Sequence, residues 1–111
     1  YFNIGGDGVR TDVSTALPKD WKAGWMHIVI VVDRTANEIR VSFDFNDFVT
    51  LKIKDAQKGM SFDGLANVNV GQDGTGNYTP FTSAMDEFMV FNGVLTQENV
   101  AQLKAYYGLE E

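Results

Sequence analysis

The sequence predicts an all-β sandwich that ends in one short helix. Three observations carry that prediction. Trp25-Met26-His27-Ile28-Val29-Ile30-Val31-Val32-Asp33 is an apolar run rich in β-branched side chains, and it reads as a central strand covered on both faces. Residues 39–44 alternate, with Ile39, Val41 and Phe43 on one face and Arg40 and Ser42 on the other. Residues 84–98 then set a buried strand, an Asn92-Gly93 turn and a helix start side by side without spacer residues.

The remaining elements follow in order. Residues 1–4 and 9–13 flank Gly5-Gly6-Asp7-Gly8 and predict a hairpin or a sharp loop. Residues 14–24, with Pro18, Asp20 and Gly24, read as irregular. Asp33-Arg34-Thr35-Ala36-Asn37-Glu38 is a polar turn, and a reversal at Phe45-Asn46-Asp47 leads into a strand over residues 48–53. The strands at 25–33, 39–44 and 48–53 therefore predict an antiparallel meander. After a loop-like stretch at 54–65, residues 67–71 form a short strand, and 72–80 a long polar loop. Residues 85–91 form the last strand. Thr96 is an N-cap, Gln97 and Glu98 favour the first turn, Val100, Leu103 and Tyr107 form the apolar stripe, and Gly108 ends the helix.

With 111 residues the chain makes one domain, and its 44% hydrophobic and 13% aromatic content suits a packed core. A net charge of −6 argues against nucleic-acid binding, which needs a basic stripe, and against docking on anionic membranes. No apolar run approaches the roughly 18 residues of a membrane span. The absence of cysteine excludes disulfides, thiolate zinc sites and cysteine nucleophiles. Tyr1-Phe2-Asn3-Ile4 opens as mature, strand-like sequence with no signal peptide, as expected of a piece of a longer chain.

Chemistry-bearing residues are few. Asp86 and Glu87 are neighbours on a predicted strand, so they face opposite sides and cannot act as a carboxylate pair across one bond. Asp44 alternates with Asn46, not with a second acid, and the single His completes no nucleophilic triad. The chain is therefore expected not to be an enzyme. Asp86 reads either as a calcium anchor or as a carboxylate satisfied by backbone N–H groups in a turn. Asp73, with Asn77, lies in an oxygen-rich, glycine-containing loop that suits calcium or ordinary turn chemistry. Gln72, Asp73, Asn77 and Tyr78 together supply the amide, carboxylate and aromatic groups that sugar binding uses, and Trp21 adds a second aromatic. Tyr78 and Trp21 read equally as loop anchors. Trp25, Phe43, Phe88 and Phe91 are expected in the core, and His27 as a satisfied or surface strand residue.

Two segments carry a resemblance. Residues 25–33 resemble the Trp-x-His-apolar-Asp strand of laminin G-like and concanavalin A-like jelly rolls, and residues 81–103 resemble the closing segment of those folds, with Gly71 ahead of it. The match spans residues 25–108. Ser83 stands where that family usually has Gly, and Asp44-Phe45-Asn46 where it often has an Asp-Gly turn, which implies an altered hairpin. Such domains are longer than this chain, and the match falls on their C-terminal part. The resemblance thus implies an antiparallel jelly-roll β-sandwich over residues 1–111 that is a portion of a longer domain, or whose sheets a second chain completes, as in a homodimer. It further implies a lectin-like, non-catalytic carbohydrate-binding module of a larger secreted or surface-attached bacterial protein. The expected partner is a glycan or polysaccharide, with structural Ca²⁺ at Asp86 and Asp73. A protein-binding, adhesive module and a structural spacer are the alternatives.

Overall fold

A computed structural model describes residues 1–6, 8–61, 69–72 and 75–109. All its strands are antiparallel and lie in two sheets, with one α-helix near the C-terminal end. β1 (Phe2–Gly6) and β2 (Val9–Val13) form a hairpin, with Phe2 opposite Val13 and Ile4 opposite Thr11. β3 (Ile28–Asp33), β4 (Glu38–Phe43) and β5 (Val49–Lys52) form the predicted meander. A single 3₁₀ turn, Asp55–Gln57, follows, and α1 spans Gln97–Tyr106.

The register explains the two cores. Ile30 lies opposite Val41 and Val32 opposite Ile39, so these side chains share one face of the meander. On that face Ile39, Val41 and Ile53 pack against Phe2, Ile4 and Val13 of the hairpin. The other face carries Val29 and Val31, which α1 covers with Val100 and Leu103, joined by Leu95, Phe45 and Phe48. The meander is thus a layer between a hairpin and a helix.

Polar residues fasten the layers. Gln57 is fully buried and donates from Nε2 to the carbonyls of Ile4 (2.9 Å) and Val9 (3.2 Å). Its Oε1 accepts from the Thr11 hydroxyl, which itself accepts the Lys54 N–H at 3.0 Å. Asn37 sits in the left-handed region at φ 56°, a conformation Asn tolerates, and its buried amide donates to the Ile53 carbonyl at 3.0 Å. Arg40 of β4 reaches Asp33 at 3.2 Å and Glu38 at 3.5 Å, closing the β3–β4 turn.

The helix follows its sequence signals. Thr96 accepts the Asn99 N–H and Asn99 caps the Thr96 N–H in return, so the capping box closes through Asn at the third helical position. Gly108 takes φ 68° just past the last turn.

Several expectations are corrected. Residues 85–91 form no strand: the Asp86 carboxylate takes the Glu87 N–H at 2.8 Å, and Glu87 turns to φ 52°, which breaks an extended run. Phe88 and Phe91, expected in the core, are exposed, and Val90 beside them is 82% exposed. Trp25 is also outside the core at 73% exposure, because the strand begins only at Ile28, after Gly24 at φ 142°. Finally, β3 is an edge strand, not a central one, among the described residues. The hairpin covers β4 and β5 and stops short of β3, so Ile28, Ile30 and Val32 stay about half exposed. The short strand expected at 67–71 lies partly outside the described residues, and Asn69, Val70 and Gly71 are not in a strand.

Candidate functional site

The polar loop that the sequence singles out is closed at its base. The Phe81 N–H donates to the Gly71 carbonyl at 2.6 Å, and Gly71 adopts φ 79°, which favours glycine. A Cβ on Gly71 would also stand 3.2 Å from the Met85 side chain. Inside the loop Gln72 Nε2 donates to the Tyr78 carbonyl at 3.2 Å, and the Asn77 N–H reaches the Thr75 hydroxyl at 3.3 Å. Gln72 and Tyr78 are therefore brought together, with Asn77 next to them. Tyr78 is 75% exposed. Asp73 lies outside the described residues.

Trp21 belongs to a different neighbourhood. Its N–H closes a turn on the Pro18 carbonyl at 3.0 Å, and its indole is 45% exposed. Among the described residues no hydrogen bond or ring contact joins it to the Gln72–Tyr78 pair. Beside this turn lies an open cavity of about 350 Å³. Its walls are Ala16 and Pro18 with Asp20 on one side, and Phe43, Val49, Asn46 and Asp47 on the other. No sequence motif marks this cavity. The signal available was two runs of turn residues, Pro18 to Asp20 and Asn46-Asp47, but nothing in the sequence brings them together.

The Asp86 carboxylate takes a backbone N–H from Glu87. Glu87 in turn accepts from the Tyr107 hydroxyl at 3.4 Å. Burial first, and Glu87 second, push the Tyr107 hydroxyl above the usual tyrosine range. Calcium wants about six to eight oxygen ligands. Among the described residues no three Asp, Glu or His side chains converge.

A titratable group packed between aromatic rings lies at His27. The His27 imidazole stacks on Phe45, with centroids 3.9 Å apart and rings 14° from parallel, and Tyr107 tilts against it at 5.7 Å. The backbone N–H of His27 donates to the Asp44 carboxylate at 2.9 Å. Its Nδ1 is buried with no hydrogen-bond partner among the described residues. Burial holds the imidazole below its ordinary pKa, and the Asp44 charge opposes this only in part.

Among the described residues no helix is long and apolar enough to cross a membrane. No family model matches the chain, and neither a curated protein nor a solved structure matches it.

Proposed function

We propose that the chain is a non-catalytic carbohydrate-binding module, built as part of a jelly-roll sandwich of the laminin G-like or concanavalin A-like kind. The observation that carries this reading is the exposure of both candidate platform aromatics, Tyr78 and Trp21. An exposed ring beside amide groups meets the C–H face of a sugar while the amides take its hydroxyls. Gln72 and Asn77 are the polar groups beside Tyr78, Asp73 is a further candidate from the sequence alone, and Trp21 forms a second contact point. Weak contacts of this type act by positioning and avidity, raising the local concentration of a polysaccharide around whatever the module is attached to. The module belongs, in this reading, to a larger bacterial protein that is secreted or displayed on the cell surface. Calcium at Asp86 and Asp73 is a scaffold element of the same reading, and no binding step depends on it.

The test is a glycan-array screen with the wild type, Trp21→Ala and Tyr78→Ala, each with Ca²⁺ and with chelator. Selective binding that either substitution weakens supports the reading, and loss of binding with chelator adds the metal. No binding by a folded sample in either condition rejects it.

A second reading, a protein-binding adhesive module, draws on the half-exposed row of Ile28, Ile30 and Val32 on β3. A contiguous apolar surface of this kind suits a protein partner better than a sugar. Loss of partner capture on Ile30→Lys, with glycan binding absent, would favour it.

A further inference from the structure

The β4–β5 turn holds Phe45 against its conformational preference. Asp44 and Phe45 stand at φ 49° and φ 62°, in the left-handed region, and the Asn46 N–H closes the turn on the Phe43 carbonyl at 3.0 Å. Glycine, asparagine or aspartate fills such positions with little strain, whereas a bulky aromatic such as Phe45 does not. A strained turn persists only where its surroundings hold it.

Those surroundings form three clamps. Gln97, the first residue of α1, takes the Phe48 N–H on Oε1 at 3.0 Å and donates from Nε2 to the Asn46 carbonyl at 3.3 Å. The Ser42 hydroxyl donates to the same carbonyl at 2.6 Å. His27 supplies the third. Its carbonyl accepts the Asp44 N–H at 2.8 Å, its own N–H goes to the Asp44 carboxylate, and its ring supports the Phe45 ring. Of the three, only His27 changes charge in the physiological range.

We propose that residues 44–48 form a proton-released latch, held closed by neutral His27 and let go when its imidazole takes up a proton. A neutral imidazole leaves one nitrogen without a hydrogen, and Nδ1, buried and unpartnered, suits that state. The imidazolium carries a hydrogen on both nitrogens, and Nδ1–H then has no acceptor in its packed position. Relief comes from moving the ring toward water, which ends the stack on Phe45 and leaves the strained turn with two clamps. The titratable groups around the ring are the Asp44 carboxylate of the turn, which takes the His27 backbone N–H, and Tyr107 at the C-terminal cap of α1, whose ring tilts against the imidazole and whose hydroxyl is turned to Glu87 with Asp86 nearby. Asp44 favours the imidazolium, but burial outweighs it, so the ring stays neutral below its ordinary range and the latch opens on acidification. Asn46 and Asp47 line one wall of the 350 Å³ cavity, so release of the turn reshapes that cavity. This inference stands on the turn and its clamps and is independent of any glycan.

The test uses the fact that the chain has a single histidine. NMR follows its imidazole from about pH 7.5 to about pH 5, with hydrogen exchange read at the Asp44, Asn46 and Phe48 amides. The Ile39 and Val41 amides of β4 serve as the control for global opening. The proposal expects His27 to titrate below its ordinary value of about 6.5. Across that titration the turn amides should exchange about tenfold faster than the β4 control, with loss of the His27–Phe45 ring contact. His27→Phe, which keeps an aromatic ring and cannot titrate, should hold the turn closed at both ends of the range. A His27 that titrates at or above the ordinary value overturns the proposal. So do turn amides that keep pace with β4 throughout, and so does a His27→Phe protein that opens with acid as the wild type does. The wild-type measurements decide the matter even where the variant fails to fold.

Discussion

The Thr11 hydroxyl donates its hydrogen bond to Gln57 Oε1, joining residues 46 positions apart under the β1–β2 hairpin. Both side chains are almost completely removed from solvent. Gln57→Leu strands the Ile4 and Val9 carbonyls and the Thr11 hydroxyl, and is expected to cost about 3 kcal/mol. Thr11→Val combined with Gln57→Leu should cost less than the two single changes added together, because both partners of the pair leave at once. Urea denaturation of the three variants measures this.

Gly71 combines a left-handed backbone with the close approach of Met85. Gly71→Ala is expected to destabilise by about 1 kcal/mol, chiefly through φ, since the end of a methionine side chain gives way easily. The same substitution in a Met85→Ala background should lose only the small steric part. Thermal unfolding of both pairs separates the two contributions.

Thr96 starts α1 with a reciprocal cap to Asn99. Thr96→Ala should cost about 1 kcal/mol and fray the first turn, while Thr96→Ser should be nearly neutral. Far-ultraviolet circular dichroism with chemical denaturation is the check. Because Gln97 grips the 44–48 turn, that fraying should also raise exchange at the Phe48 amide.

The Ala36 N–H, and after it the Arg40 guanidinium, hold the Asp33 carboxyl below the usual carboxylate range. A carboxyl depressed in the folded state binds fewer protons there than in the unfolded chain. Its contribution is therefore complete above the unfolded value of about 3.9 and is lost as pH falls through the lower folded value. Asp33→Asn should flatten the acid limb of the stability–pH curve and leave its neutral limb parallel to the wild type.

The outer edge of β3 carries no charge, proline or glycine between Ile28 and Val32. Edges of this type invite pairing with another chain. Ile30→Lys, on the uncovered face, should reduce concentration-dependent association in sedimentation velocity with little change in stability, since Ile30 is half exposed.

Local signals in the sequence proved dependable where a side chain acts on its own backbone. Thr96 before Gln97 and Glu98, Gly108 after the last turn and the alternation of Ile39, Val41 and Phe43 all gave the elements found. Tertiary cover was not legible. Val29 and Ile30 are chemically near equals, and only the placement of α1 and the end of the hairpin decides that one is buried and the other is not. Residues 85–91 have the composition of a core strand, yet the Asp86–Glu87 pair breaks the extended run. The candidate site was legible in the same uneven way. The Gln72–Tyr78 pairing is local and the sequence placed both together, whereas the cavity between Pro18 and Asn46 and the His27–Phe45 stack need the fold to create them. Phe45 itself carried a hint, as a bulky residue next to Asp44 and Asn46 in a predicted reversal, where glycine fits without strain.

The buried Thr11–Gln57 pair has a further effect on how the chain finds its native pairing. A hairpin that slips by one residue turns its apolar side chains to water and is rejected by solvent alone. A slip of two keeps Phe2, Ile4, Val9 and Val13 facing inward, and hydrophobicity barely distinguishes it from the native alignment. It would, however, slide a valine over the Gln57 amide in place of the one hydroxyl on that face. The polar contact therefore acts as an index mark, selecting a single alignment from those that greasiness alone would accept.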